Sequence, residues 1–401
     1  MKRLVVFGLL VFLQVSFTRV AHGQCVALGT VAPVTTYSAA GVYLSSLTDG
    51  NIAHGSNIQF DGNGIPMVLA SGVFVYNPVT VSQWALQQYS YSVAYGTAGA
   101  QANLVKGADW LMSVQDATTG IWYINYSFTV AGMGVTLSPP WGGAMAQGQA
   151  ISVLSRAYQV THDEKYLTAA SKALAPLAKK VSEGGLTDDF FGDPNLPHYE
   201  EYPTVPASYT LNGFMFTLVG LYDLSAFDAT ALSMYNAGLK TLDAELPYHE
   251  MGGISAYHLG HITNAPRGPH VAWSYHLVHL QLLGALKYLN PTDKVVSFYY
   301  GQWCSYQRAL SQIVLSPASG TTFKAGQLFY LNAQINPNYA IGFANLTDGG
   351  TPVSKATLGN GRAIFRIDNP TAGTHNYQVS YTSDGTVPSV TSNVLSITVT
   401  P

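Results

Sequence analysis

Segments with helical periodicity come in pairs along this chain, and the first member of each pair begins near residue 79, 146, 208 or 273. The interval is about 65 residues, a steady recurrence that constrains the fold more than any composition does. In the first pair, Val79–Tyr95 spaces Trp84, Leu86, Tyr89 and Val93 for one face, and Gln101–Gln115 does the same with Leu104, Ala108 and Leu111. Ala146–Val160 and Asp163–Ala178 form the second pair across Thr161-His162, with Asp163 placed as an N-cap. Ser208–Leu224 and Asp228–Glu245 form the third. Trp273–Leu289 and Thr292–Leu310 form the fourth, broken by Asn290-Pro291. Four αα-hairpins at one interval predict an incomplete α/α toroid whose inner helices line a cleft.

The flanks have a different texture, so the chain reads as a multidomain α+β protein. Residues 24–78 are rich in Gly, Val, Thr, Ser and Tyr and read as a short β-rich N-terminal part. The helical region then spans 79–310. Residues 313–401 alternate apolar and polar with turn residues every 8–12 positions, which predicts an Ig-like β-sandwich without a cysteine pair. Residues 1–23 combine Met1-Lys2-Arg3, an apolar run from Leu4 to Val15 and small residues at Ala21-His22-Gly23, the layout of a secretory signal. The apolar run is short for a membrane span. An exported protein is expected, whether secreted, periplasmic or at the cell surface.

With a net charge of -3 and only 10% charged residues, no global field draws in nucleic acid. Tyrosine is frequent, 26 against 16 Phe, and offers flat faces and hydroxyls that suit sugars as well as an aromatic core. The two cysteines, Cys25 and Cys304, either bridge in an oxidising compartment or remain two buried thiols. No cofactor is expected. The oxygens of Asp61-Gly62-Asn63-Gly64 admit a Ca²⁺ ion, but without the full calcium-loop spacing the segment reads as a turn.

Chemistry concentrates in the long segments before the inner helices. His198-Tyr199-Glu200-Glu201-Tyr202-Pro203-Thr204-Val205-Pro206 packs two carboxylates and two phenols into four residues ahead of the third inner helix. The fourth segment and helix add Tyr257, His258, His261, Arg267, His270, Tyr275, His276 and His279. His258-x-x-His261 and His276-x-x-His279 resemble metal-ligand pairs, yet nothing fixes a tetrahedral set, and neutral histidines hydrogen-bonded around a polar cleft are the preferred reading. Glu and Tyr suit removal of a weakly acidic C–H proton beside a carboxylate, provided burial moves their pKa values toward the working pH. An ordinary polar loop capping a helix is the alternative.

The run Trp141-Gly142-Gly143-Ala144-Met145-Ala146-Gln147-Gly148-Gln149 through Arg156-Ala157-Tyr158 resembles the C-terminal domain of the D-glucuronyl C5-epimerases. So do Tyr199-Glu200-Glu201-Tyr202-Pro203-Thr204, Leu211-Asn212-Gly213-Phe214-Met215, Gly220-Leu221-Tyr222-Asp223-Leu224, Tyr257-x-Leu259-x-His261 and Trp273-x-Tyr275-His276-x-x-His279. The likeness covers roughly residues 60–310. It implies an isomerase that converts D-glucuronate to L-iduronate within a heparosan-like polysaccharide by proton exchange at C5. It also implies Glu201 and Tyr275 as the opposed acid/base pair, with Tyr202 and Tyr257 beside them. Tyr76, Tyr199, Glu200, His258, His261, Arg267 and His276 would touch or support substrate. Where the family has Arg in Tyr-Asp-Leu-Arg-His, this chain has His258 and Gly260, so the carboxylate clamp would fall to His258, His261 or Arg267. Few basic residues favour an unsulfated uronan as partner, and a homodimer is left open. A uronate lyase and a non-catalytic glycan-binding protein are the alternative functions.

Overall fold

The computed structural model describes residues 34–44, 57–264, 268–309, 313–335, 342–358, 361–383 and 390–401. The signal-like segment, Cys25 and Arg267 lie outside the described residues. A three-stranded antiparallel sheet of β1 (Ile58–Phe60), β2 (Pro66–Ala70) and β3 (Val73–Val75) precedes the helices. Asp61 closes its first turn, accepting the Asn63 and Ile65 N–H groups at 2.9 and 2.8 Å.

Each expected helical pair forms. The first is α1 (Pro78–Tyr95) and α2 (Ala100–Val114). Asn77 Oδ1 accepts the Val79 N–H at 2.8 Å and Pro78 fills the first turn, where a missing N–H goes unused. The second pair is α3 (Ala144–Thr161) and α4 (Glu164–Lys172), the latter continued by a single turn, α5 (Leu174–Leu177). Asp163 caps α4 through the Lys165 N–H, as its type and position predict. The third pair is α6 (Leu211–Ser225) and α7 (Ala229–His249), and α6 starts three residues later than expected. The delay is local chemistry: Tyr209 takes a φ of 47° and the Ser208 hydroxyl donates to Glu200 Oε2 at 2.8 Å, which keeps the chain out of the helix. After the single turn α8 (Gly260–Thr263), the fourth pair is α9 (Trp273–Leu289) and α10 (Lys294–Ala309).

The first helices of the pairs, α1, α3, α6 and α9, pack side by side in that order, each also against the second helix of its own pair. Backbones of α3 and α6 touch because both carry glycine at the crossing. A Cβ on Gly220 would lie 2.1 Å from the Gly148 carbonyl oxygen, and one on Gly148 would lie 2.5 Å from Thr217 Cα. Beneath this crossing Arg156 and Asp223, both fully buried, pair at 2.5 Å, and Arg156 also donates to the Tyr37 hydroxyl at 3.1 Å. The early segment 34–44 is thus tied to two inner helices by a buried charge pair. Cys304 on α10 is buried and disulfide-bonded.

The C-terminal part is a β-sandwich. One sheet has the order β13 (Arg362–Ile367), β10 (Phe329–Ile335), β8 (Ile313–Pro317). The other is β12 (Thr351–Thr357), β11 (Gly342–Asp348), β14 (Gly373–Ser383), β16 (Leu395–Thr400), β9 (Thr322–Lys324), and its last contact is parallel. Along β10 Phe329, Leu331, Ala333 and Ile335 are buried in alternation, as a period of two requires. This core is continuous with Ile254, Trp273 and Leu277, so the sandwich packs on the start of α9 and the segment leading to it.

Candidate active site

The stretch 197–213 is held in place before any chemistry is considered. Its first residues form β7 (Pro197–Tyr199), paired antiparallel with β6 (Thr187–Asp189). The Glu200 N–H donates to the Leu186 carbonyl and the Glu200 carbonyl accepts the Ala144 N–H, both at 2.8 Å, which fixes the strand end to the mouth of α3. In an extended chain adjacent side chains point to opposite faces. Glu200 and Glu201 therefore part company.

Glu200 turns inward to a network of full burial. His198 sits between Glu200 Oε1 at 3.2 Å and Glu245 Oε2 at 3.1 Å, while Ser208 and the Tyr209 N–H also donate to Glu200. Burial alone would strip the His198 proton, but Glu245 and Glu200 outweigh it and hold its pKa up at about 10.

Glu201 turns to a cavity of about 370 Å³ reached by all four inner helices. Its side chain lies on Gly213, where a Cβ would sit 2.3 Å from Glu201 Oε2, so only glycine in the first turn of α6 leaves room. The Tyr257 hydroxyl donates to Glu201 Oε1 at 3.4 Å, and the Tyr202 and Tyr257 hydroxyls are 2.9 Å apart. Tyr275, from α9, sets its ring 4.1 Å from that of Tyr257, the planes tilted by 39°. Burial drives the Glu201 pKa up to about 7, against the nearby Tyr202 and Tyr257 hydroxyls and Gly213 N–H, whose dipoles favour the carboxylate. Burial, followed by the Glu201 charge, also raises the Tyr257, Tyr202 and Tyr275 phenols. Glu201 Oε2 and Asn212 Oδ1 are buried in this cavity with no hydrogen-bond partner among the described residues, and such orphaned acceptors suit a ligand rich in hydroxyl donors.

The four residues expected to react, Glu201, Tyr202, Tyr257 and Tyr275, are thus brought together. Most of the expected supporting residues are not. Tyr76 lines a separate cavity and donates to Asp61 at 2.7 Å. Tyr199 is buried and donates to the Met234 carbonyl at 2.9 Å, a packing role. His258 bonds the Ala131 carbonyl through Nε2 at 2.7 Å and accepts the Gly260 N–H on Nδ1 at 3.0 Å, so both nitrogens are used. His276 accepts the Ser255 N–H on Nδ1 at 3.0 Å, and burial presses its pKa down to about 3. His279 shares the Ser255 hydroxyl at 2.7 Å. These are neutral structural histidines. His261 is half-buried and does not line the cavity. Among the described residues no group of three or more His, Cys, Asp or Glu is placed to hold a metal.

Position 260 has no room for a long side chain. A Cβ there would meet Met133 Cγ at 2.6 Å and His258 Cε1 at 2.9 Å. No Lys or Arg is among the described residues that line the cavity, and its polar wall consists of neutral amides, Asn77, Gln83, Asn212 and Gln281, with Tyr126. Residue identity does not single these out. Their spacing offers a signal, since Tyr275, Val278 and Gln281 recur every three residues on one face of α9.

Residues 115–305 match the family described as D-glucuronyl C5-epimerase C-terminus, and residues 315–400 match the bacterial Ig-like domain of group 3. A D-glucuronyl C5-epimerase of Caenorhabditis elegans is 38% identical over 213 residues, which cover 50% of this chain and 34% of that protein. An uncharacterized protein of Methanocaldococcus jannaschii is 31% identical over 188 residues, 46% of this chain and 56% of its own length. The chain therefore spans about a third of the first relative and just over half of the second. Among solved structures, a D-mannose isomerase overlaps 63% of this chain and 65% of its own at 14% identity and a TM-score of 0.40, too distant to weigh on fold or function. The matched segment holds Glu201, Tyr202, Tyr257 and Tyr275, whereas α1, which supplies Gln83 to the wall, precedes it. Residues 115–305 are thus similar to a D-glucuronyl C5-epimerase C-terminal domain, and residues 315–400 to a bacterial Ig-like domain.

Proposed function

We propose that this protein is an exported uronate C5-epimerase that converts D-glucuronate to L-iduronate residues within an unsulfated, heparosan-like polysaccharide. Its inner helices would form an incomplete α/α toroid around the substrate. The observation that carries the reading is Glu201, a buried carboxyl poised near neutrality in a cavity that Tyr202 and Tyr275 also line, with the Tyr257 hydroxyl bonded to it from behind. A base with a pKa near the working pH combines a useful ionised fraction with enough basicity to take a carbon-bound proton.

The Glu201 carboxylate takes the C5 proton, and the electron pair left behind spreads into the adjoining carboxylate. Neutral amides and phenols meet that charge in a dry site, where fixed dipoles act strongly. Tyr275 returns a proton to C5 from the other sugar face, leaving Glu201 protonated and Tyr275 ionised. Tyr257, donating to Glu201 and packed on Tyr275, resets both by passing one proton between them. One proton leaves C5 and one arrives, so the reaction needs no cofactor.

Incubation with unsulfated uronans in D₂O, followed by NMR, checks this: deuterium enters at C5 and iduronate signals grow. Absence of exchange on every uronan tested would defeat it, and rising absorbance from an unsaturated uronate would mark a lyase instead.

A further inference from the structure

Tyr257 and Tyr275 stand on two stretches of chain that are tied together and share one backing. The first, 251–257, leads away from α7, and the second, 270–277, runs into α9. The Tyr257 N–H donates to the His270 carbonyl at 2.8 Å, and Ala256 forms a bridge with Val271. The Ser255 hydroxyl lies 2.9 Å from His276 Nδ1 and 2.7 Å from His279 Nδ1. A shift of either stretch therefore carries the other, and with it the 4.1 Å spacing of the two phenol rings.

The far side of both stretches belongs to the C-terminal β-sandwich. On α9, Trp273 and Leu277 are four residues apart and share a face, while Tyr275 between them turns to the catalytic cavity. Ile254, Trp273 and Leu277 are buried in one continuous core with the sandwich interior, and Met251 and Val271 pack against the same core. The chain enters the sandwich at Ile313, whose antiparallel partner is Ile335, the last residue of β10. Ile313 follows the end of α10 by four residues, so this end of the sandwich lies within about 14 Å of the helical part. Side chains at the end of a sheet stay dry only under a cover, and Ile313 and Ile335 are both buried.

We infer that the sandwich is a positioning element of the active site: its entry end backs 251–257 and 270–277 and so sets Tyr257 and Tyr275 against Glu201. It acts through the two phenols rather than on the substrate. The inference rests on the reading of these phenols as reacting groups. A catalytic group misplaced by about 1 Å costs up to about a hundredfold in rate, so a modest loosening of this backing has a measurable effect.

The test compares full-length variants at the two ends of the sandwich, all assayed well below their unfolding midpoints. Ile335→Ala and Leu277→Ala loosen the backing, and Ile335→Val and Leu277→Met are their conservative counterparts. Phe329→Ala removes a ring stacked on Phe323 at 4.3 Å, about 20 Å away along β10, and destabilises the sandwich at least as much. In C5 exchange on an unsulfated uronan, Ile335→Ala and Leu277→Ala lower kcat about tenfold with KM within about twofold. The conservative variants keep most of the rate, and Phe329→Ala leaves kcat unchanged. Equal losses at both ends, no loss at either, or a loss confined to KM would overturn the inference. ¹⁹F NMR of protein labelled with 3-fluorotyrosine gives a readout independent of turnover, with signals assigned through Tyr257→Phe and Tyr275→Phe. Both signals shift in Ile335→Ala and stay in place in Phe329→Ala. Shifted signals in a protein whose unsubstituted form shows no exchange keep the positioning role and remove the epimerase. Exchange with unmoved signals and unchanged kcat does the reverse.

Discussion

Glu200 and Glu201 are neighbours in the chain and both are buried, yet they face opposite regions with opposite chemistry. On the Glu200 side a protonated His198 lies between two carboxylates, so each buried acid has a cation within 3.2 Å. On the Glu201 side no cation lines the cavity among the described residues, and burial drives the carboxyl up to about 7. Burial is common to both. The difference lies in pairing, since a paired buried charge is fixed in one state while an unpaired one is held near its titration point, where it can exchange a proton.

The largest effect that would break this contrast is on exchange. Glu201→Gln should lower C5 exchange by about a thousandfold or more, measured by deuterium incorporation, because the base is gone while the cavity keeps its shape. Glu245→Ala on the other side should instead lower stability by about 3–5 kcal/mol in denaturant unfolding, since it leaves His198 with one partner. Activity per folded molecule should hold in that variant, and a selective loss would show that the two sides are coupled.

Stability against pH separates the sides further. Glu201 rises from 4.5 to about 7 on folding, so the folded state holds its proton more tightly and the contribution falls as pH climbs through that window. His198, raised from 6.5 to about 10, contributes fully below 6.5 and loses the contribution as pH rises toward 10. Glu201→Gln should therefore stabilise the protein by up to about 3 kcal/mol above pH 7 and flatten the lower window alone. The smallest expected effect is that of Tyr257→Phe. It removes a donor to the ionised form of Glu201, so the pH–rate profile should move to higher pH, with exchange about tenfold slower.

Much of the helical frame was legible because its signals are local. Periodicity, the Asp163 cap and the Asn290-Pro291 break each act within a few residues, and the helices follow them. The quartet of Glu201, Tyr202, Tyr257 and Tyr275 was legible only as a resemblance in spaced motifs. That His258 and His276 bond backbone carbonyls is not legible in the sequence, because a His carries the same letter whether its nitrogens face a ligand or a buried carbonyl. Tyr76 and Asn77 illustrate a related limit, as one residue of shift along an extended stretch moves a side chain from one cavity to the other.

The sequence by itself determined the paired helices, their recurrence, the C-terminal sandwich and the short list of groups able to move a proton. Tertiary structure alone decided that Glu201 rather than Glu200 meets the cavity, that position 260 has no space for an arginine, and that neutral amides from α1, α6 and α9 line the site. Those outcomes depend on what lies across the cleft: Gly213 beneath Glu201, Met133 against Gly260, Glu245 beside His198. Contacts of that kind join residues far apart in the chain, and burial and charge pairing take their values only once the helices have packed.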